Sequence, residues 1–268
     1  MRICVFGLGE AGSLIAADLA KAGADVVGFD PAEVATPAGV HRVVHPALAV
    51  RGVDLIAAVT AEADSRLALL QAVEAIRPGT LYADLATSSP QVKLELEAVA
   101  DRKDIDFTDV ALLAMVPGRG IATPSLASGP GAHRYADIVN RLGGYVEPLA
   151  AATGVAAGRK LLRSVMMKGM ASVVLEAATA GAAADDLTWL WRNLTSEIEK
   201  ADEDWLRRLA LGSRTHAERR RDEMRSAGDM LRGLGVEPIM TMATANSLER
   251  LLADKIEVPE LPDSQPIP

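Results

Sequence analysis

A single cysteine among 268 residues excludes an internal disulfide and any paired-cysteine metal site. Cys4 lies in the first apolar run, where a small buried hydrophobe is expected. Aromatic residues are also scarce, three each of Trp, Tyr and Phe, too few for the stacking platforms that hold single-stranded nucleic acid. There is no basic surplus. The formal net charge is −8, and a phosphate backbone needs a basic face, so no nucleic-acid partner is expected. No run stays apolar and uncharged for the roughly 18 residues of a membrane span. The opening MRICVFGLGEAG passes straight into glycines without a signal-peptide cleavage pattern. No His/Cys/Asp/Glu set has metal-ligand spacing, so chemistry without a metal is expected. These absences leave an acidic, enzyme-sized protein, expected to be cytoplasmic and without a membrane partner.

What is present is a regular alternation. Ile3–Phe6, Asp25–Phe29, Asp54–Val59, Thr80–Asp84 and Asp106–Val110 are short apolar runs bounded by Gly, Pro or Asp. Helical stretches such as Ser13–Ala22 and Ser65–Ile76 separate them, the second showing Leu67, Leu70, Val73 and Glu74 at three-to-four spacing. Strands alternating with helices make βαβ units and a parallel sheet covered on both faces. Thr123–Gly129, Tyr135–Leu142 and Tyr145–Pro148 extend that domain. From Gly154 onward no strand is predicted, only helices over Ala156–Ala184, Leu187–Arg208, Arg214–Gly233 and Thr241–Ala253, and then a proline-rich extended tail. The first of these is so weakly polar that burial on most sides is expected. The fold class is α/β: a doubly wound parallel sheet of Rossmann type over 1–153, followed by an all-helical domain over 154–268.

Two features carry chemistry. Gly7-Leu8-Gly9-Glu10-Ala11-Gly12 joins the first strand to the first helix. Gly7 permits the tight turn, Gly9 lets a pyrophosphate approach the backbone, and Gly12 allows close helix packing, with helix N–H groups facing the phosphates. Asp30 closes the second strand 18 residues after Gly12. A carboxylate there accepts hydrogen bonds from ribose hydroxyls and repels a 2′-phosphate; the nearest arginine is Arg42, so NAD is favoured over NADP. The alternative is a glycine-rich turn beside a surface aspartate. The second feature is a stripe of Lys160, Ser164, Met167, Lys168 and Ala171 on one helical face, behind Gly154 and Gly158. A lysine there can protonate a carbonyl oxygen or deprotonate an alcohol. Equally, the lysines snorkel to a solvated edge or pair with acids.

With these residues in view, the chain resembles the β-hydroxyacid dehydrogenase superfamily, which includes 3-hydroxyisobutyrate and 6-phosphogluconate dehydrogenases. Asp84-Leu85-Ala86-Thr87-Ser88-Ser89-Pro90 is similar to the family's Asp-x-Ser-Thr-x-x-Pro stretch beside the nicotinamide, with Ala86 in place of serine. Asp109 to Met115 keeps only the first residue of the family's Asp-Ala-Pro-Val-Ser-Gly-Gly substrate motif. Lys160-Leu161-Leu162-Arg163-Ser164 keeps the lysine of Lys-x-x-x-Asn and replaces the asparagine. Val116-Pro117-Gly118-Arg119-Gly120, Lys160 to Gly169, and His216 to Met224 resemble the branch whose C-terminal domain has no known function.

The resemblance implies an NAD(P)-dependent oxidoreductase acting on a small hydroxy or keto compound bearing an acidic group. In that reading Lys160 is general acid/base and Ser164 orients it. Thr60 and Thr87 join Gly7 to Gly12 and Asp30 around the cofactor, Ala114, Met115 and Val116 face substrate, and the protein is a homodimer. Lys168 adds positive potential, and His216 and Arg220 reach the substrate's anionic end. From periodicity alone, His216 with Arg220, and Arg219 with Glu223, are i,i+4 pairs on a solvated, salt-bridged helix. An imine reductase on the same scaffold and a non-catalytic dinucleotide-binding regulator are the alternative functions.

Overall fold

The computed structural model describes residues 1–256 and 259–263 and divides into two compact units, Met1–Ser164 and Val165–Pro268. In chain order the first unit holds β1 (Arg2–Phe6), α1 (Glu10–Lys21), β2 (Asp25–Phe29), β3 (Val40–Arg42), the single-turn α2 (Pro46–Ala49), β4 (Leu55–Ala58) and α3 (Glu62–Ala72). These are followed by β5 (Leu81–Asp84), α4 (Pro90–Asp101), β6 (Asp106–Leu112), β7 (Ser125–Ser128), α5 (Ala132–Arg141) and β8 (Val146–Pro148). The strands form one sheet in the order β3-β2-β1-β4-β5-β6-β7-β8. The chain reverses its winding between β1 and β4, the switch point where open α/β sheets bind ligands.

Alternation along each strand builds two cores. Ile3 and Val5 face a layer with Ile15, Leu19, Leu81 and Ile138, while Cys4 and Phe6 face one with Ile56, Leu69, Tyr82 and Phe107. Cys4 is fully buried, and burial pushes its thiol well above the ordinary range, so it serves as packing.

Four expectations are corrected. The sheet is not wholly parallel: β7 runs antiparallel to β6. Residues 113–124, which join them, hold only a 3-10 turn at Gly120–Ala122, without the α-helix that usually carries a parallel crossover. Strand β3 and the short α2 were not anticipated, being too brief to show a period. In α3 the inward face is Ser65, Leu69 and Ala72, whereas Leu67 and Leu70 are exposed.

The fourth correction concerns the helical part. It consists of α6 (Val155–Ala183), α7 (Leu187–Ile198), α8 (Glu203–Thr215), α9 (Ala217–Gly233) and α10 (Ile239–Leu252). The stretch Leu187–Arg208 is thus two helices, because Asp202 accepts from the Trp205 N–H at 2.7 Å and starts α8 afresh. The helix expected from Arg214 breaks at His216. Nor is α6 enclosed: Leu162, Val165 and Leu175 are at least 70% exposed. Of the expected tail, 259–263 have no regular structure; the remainder lies outside the described residues. Among the described residues no helix is long and apolar enough to cross a membrane.

The second unit is held partly by a cap between helices. The Glu176 carboxylate accepts from the N–H groups of Met240 (2.7 Å) and Thr241 (2.8 Å) and from the Thr241 hydroxyl (2.6 Å). It supplies the first-turn acceptor that Pro238, at the N-cap of α10, lacks. Burial works to raise this carboxyl, but the Thr241 hydroxyl and these N–H groups outweigh it and hold it below its usual range.

Candidate active site

The glycine loop has the geometry its spacing implies. Gly7 sits at φ +82°, and a Cβ there would lie 2.3 Å from the Val59 carbonyl oxygen. A Cβ on Gly12 would lie 1.9 Å from the Gly7 carbonyl oxygen, so the loop closes on itself only with glycine at both places. A Cβ on Gly9 would meet nothing within 4 Å. Space therefore remains above the backbone where α1 begins, and Gly9 caps that helix without a side-chain acceptor, leaving first-turn N–H groups for an anion. Leu8 is buried, Ala11 is half-buried and Glu10 is exposed.

Asp30 does more than close its strand. One carboxylate oxygen accepts from the Leu8 N–H at 2.7 Å and the other from the Ala32 N–H at 2.8 Å. It thus ties the glycine loop to the turn after β2, and each oxygen keeps a lone pair for a further donor. A cavity of about 850 Å³ opens beside it, lined among others by Asp30, Arg42, Val44 and His45. The Arg42 guanidinium is engaged by the turn itself, donating to the carbonyl oxygens of Asp30, Ala32 and Val34. At the C-terminal end of β4, Thr60 Oγ1 is buried with no hydrogen-bond partner. Open space over Gly9, a carboxylate with spare acceptor capacity and an orphaned buried hydroxyl together fit a dinucleotide.

The lysine helix and the loop after β5 meet. Lys160, half-buried on α6, donates from Nζ to Thr87 Oγ1 at 2.7 Å. Thr87 is exposed in a loop whose neighbours Leu85, Ala86 and Ser88 are buried, so the loop presents this one hydroxyl outward. Ser164 follows Lys160 by about one helical turn and is half-buried; Lys168 is exposed. Of the residues expected to face substrate, Met115 is 73% exposed, Ala114 is half-buried, and the Val116 side chain is packed into the core instead. Their loop is fixed by Asp18 of α1, which accepts from the Ile121 N–H at 2.9 Å.

In the second unit, His216 stands at the junction of α8 and α9, not inside one helix. Even so, the Arg220 N–H donates to the His216 carbonyl at 3.0 Å. Both residues line a cavity of about 470 Å³ together with Arg207 and Arg208. The Arg219–Glu223 pair is present, and Arg221 is paired with Asp222 at 2.9 Å and Glu249 at 3.6 Å. Among the described residues no group of three or more His, Cys, Asp or Glu could hold a metal ion.

The sequence reading missed a buried ionic cluster. Asp84 and Asp109 are register partners on β5 and β6, and Lys93 of α4 lies between them; all three are fully buried. Lys93 Nζ is 2.5 Å from Asp84 Oδ1 and 3.3 Å from Asp109 Oδ1. The contact with Asp109 is an ion pair without hydrogen-bond geometry, and Asp84 Oδ2 also lacks a donor. Burial, with the Asp109 charge adding to it, raises the Asp84 carboxyl above its ordinary range, although Lys93 and the Ala86 N–H oppose the shift. The spacing did contain a sign of this: Lys93, Leu96 and Ala100 form the inner face of α4, so helical period alone places a lysine inside.

Residues 2–117 match the NAD binding domain of 6-phosphogluconate dehydrogenase, and residues 182–251 match a domain of unknown function, DUF1932. The N-terminal part is therefore an NAD-binding domain of the 6-phosphogluconate dehydrogenase type. The chain joins it to a DUF1932 domain, as the resemblance at the level of sequence implied. No curated protein matches the chain.

Among solved structures, a reductive aminase from Aspergillus terreus is similar over 94% of each chain, with TM-score 0.80 and 17% identity. An imine reductase from Myxococcus stipitatus in complex with NADP+ is similar over 95% of each, with TM-score 0.79 and 18% identity. A conserved protein of unknown function, described as structurally similar to 3-hydroxyacid dehydrogenases, matches over 95% of this chain and 98% of its own, with TM-score 0.59 and 23% identity. At these identities the likeness is one of fold.

Proposed function

We propose that the chain is an NAD-dependent oxidoreductase of the β-hydroxyacid dehydrogenase type, acting on a small hydroxy or keto compound with an acidic group. The observation that carries this reading is the 2.7 Å hydrogen bond from Lys160 to Thr87, which holds an amine at the loop following a central strand. When bound, the nicotinamide supplies or accepts a hydride. Lys160 then gives a proton to the substrate's carbonyl oxygen in reduction and takes one from the hydroxyl in oxidation. Because Thr87 accepts from Lys160, its own hydroxyl proton is left to donate to a substrate oxygen. Ser164 orients Lys160 or holds substrate, and Lys168 adds positive potential.

Gly7 to Gly12, Asp30, Thr60 and Thr87 would hold the dinucleotide. The Asp30 carboxylate repels a 2′-phosphate, and the nearby Arg42 is already occupied by three carbonyls, which favours NAD over NADP. Ala114 and Met115 would face substrate. His216 and Arg220, in a cavity with two further arginines, suit the recognition of an anionic group.

The reading is tested by following reduced-nicotinamide absorbance with NADH and NADPH against keto acids, ketones and cyclic imines. Turnover of keto acids with NADH, and improved NADPH use in Asp30→Ala, are expected. Turnover confined to cyclic imines would point to an imine reductase; dinucleotide binding without turnover would point to a regulator. A wild type that prefers NADPH would overturn the role given to Asp30.

The protein is further proposed to be a homodimer. Leu162, Val165 and Leu175 on α6 and Trp189 and Trp191 on α7 are each more than half exposed, and large apolar side chains gathered on two successive helices suit an interaction surface. Sedimentation velocity should return twice the chain mass at micromolar concentration. A monomer there would remove this element.

A further inference from the structure

We propose that the buried Asp84–Lys93–Asp109 cluster, with Ser128, positions Lys160 by fixing both the loop that carries its partner and the helix turn that carries the lysine itself; this rests on the role given to Lys160 above. A fully buried ion pair is weak evidence of stabilisation, since apolar residues of the same volume often serve as well. What it does provide is directional bonds, and each of these leads toward Lys160.

On the loop side, Lys93 Nζ donates to the carbonyl oxygens of Asp84 (2.9 Å) and Ala86 (2.8 Å), and the Ala86 N–H donates to Asp84 Oδ1 (3.0 Å). The chain from Asp84 to Ala86 is thereby fixed just before Thr87. On the helix side, Asp109 Oδ2 accepts from the Ala157 N–H (2.9 Å) and from the Ser128 hydroxyl (3.3 Å), whose oxygen accepts from the Ala156 N–H (3.0 Å). These are first-turn donors of α6, which otherwise lack intrahelical partners, and Lys160 follows within about one turn. The two sides also touch directly. Gly154, at φ +92°, precedes α6, and a Cβ there would lie 3.1 Å from Pro90, the first residue of α4, where the loop ends. The Lys93–Asp109 contact closes the circuit, so a shift on either side moves one partner of the 2.7 Å bond between Lys160 and Thr87.

Reductive methylation with ¹³C-formaldehyde gives each solvent-reachable lysine amine a resolvable resonance, that of Lys160 being assigned by its loss in Lys160→Arg. In Ser128→Ala and Lys93→Met this resonance is expected to move at fixed pH. kcat should fall about tenfold and about 10²-fold respectively, with dinucleotide Kd unchanged. In a Thr87→Val background Lys93→Met should move the Lys160 resonance little further, because both act through the same bond. An unmoved Lys160 resonance in folded variants, or a full further shift in the Thr87→Val background, would overturn the proposal. Should Lys93→Met fail to fold, Ser128→Ala decides alone. A resonance that moves in a protein with no turnover on any substrate upholds the positioning and sinks the oxidoreductase reading instead.

Discussion

Lys160→Ala is expected to lower turnover by about 10²–10⁴-fold while leaving dinucleotide affinity within about twofold of wild type. The separation follows from where the groups sit. Cofactor-holding candidates lie on the glycine loop, at Asp30, at Thr60 and at Thr87, whereas Lys160 belongs to α6 and donates to Thr87, whose hydroxyl stays in place when the amine is removed. Removing the amine takes away the proton donor and acceptor without touching the turn at Gly7 or its hydrogen bond to the Phe29 carbonyl. Steady-state rates give the first quantity and a fluorescence titration with NADH the second. Turnover equal to wild type would take Lys160 out of the mechanism. Equal loss of binding and turnover would make it a structural residue.

Lys93→Ala is expected to destabilise the first unit by about 3–5 kcal/mol, because it strands two carboxylates in a space sealed from water. The deficit has a definite pH dependence. Without the ammonium, burial and the neighbouring Asp109 charge act unopposed by Lys93 and raise the Asp84 carboxyl further above its unfolded value, so the folded state binds more protons than the unfolded one. Stability is then lost as pH rises above the unfolded carboxylate value and is regained on acidification. Urea denaturation should show a larger gap from wild type at pH 8 than at pH 5. A gap that widens toward pH 5 would mean that Asp84 stays ionised and finds another partner. Wild-type Asp84, already raised by burial, shows the direction.

Much of the first unit was legible because its signals are local. Asp25–Phe29 is the strand the sequence marks, residue for residue, since a short apolar run bounded by polar residues has one reading in a covered sheet. The glycine loop was legible because its turn is local: Gly7 takes φ +82° and Gly12 meets the Gly7 carbonyl oxygen within the same turn, although the Val59 carbonyl that also crowds Gly7 comes from the end of the adjoining strand β4. The face of α3 was not. Leu67 and Leu70 have the better hydrophobic spacing, yet Ser65, Leu69 and Ala72 face the core, because the neighbouring elements decide which stripe is covered. The continuity of Leu187–Arg208 was over-read because apolar periodicity runs through the Asp202 cap that interrupts it.

By itself the sequence determined the strand–loop–helix that opens the chain, the acid that closes the second strand, and a lysine one helical turn before a serine. These depend on residues a few positions apart, where backbone geometry leaves little freedom. Only the tertiary structure decided that Asp84 and Asp109 stand side by side, that Lys93 lies between them, that Asp109 and Ser128 hold the start of α6, and that Lys160 meets Thr87. Each of those pairs joins separate segments of the chain, and strand register, a product of the whole packed sheet, sets which side chains share one small volume.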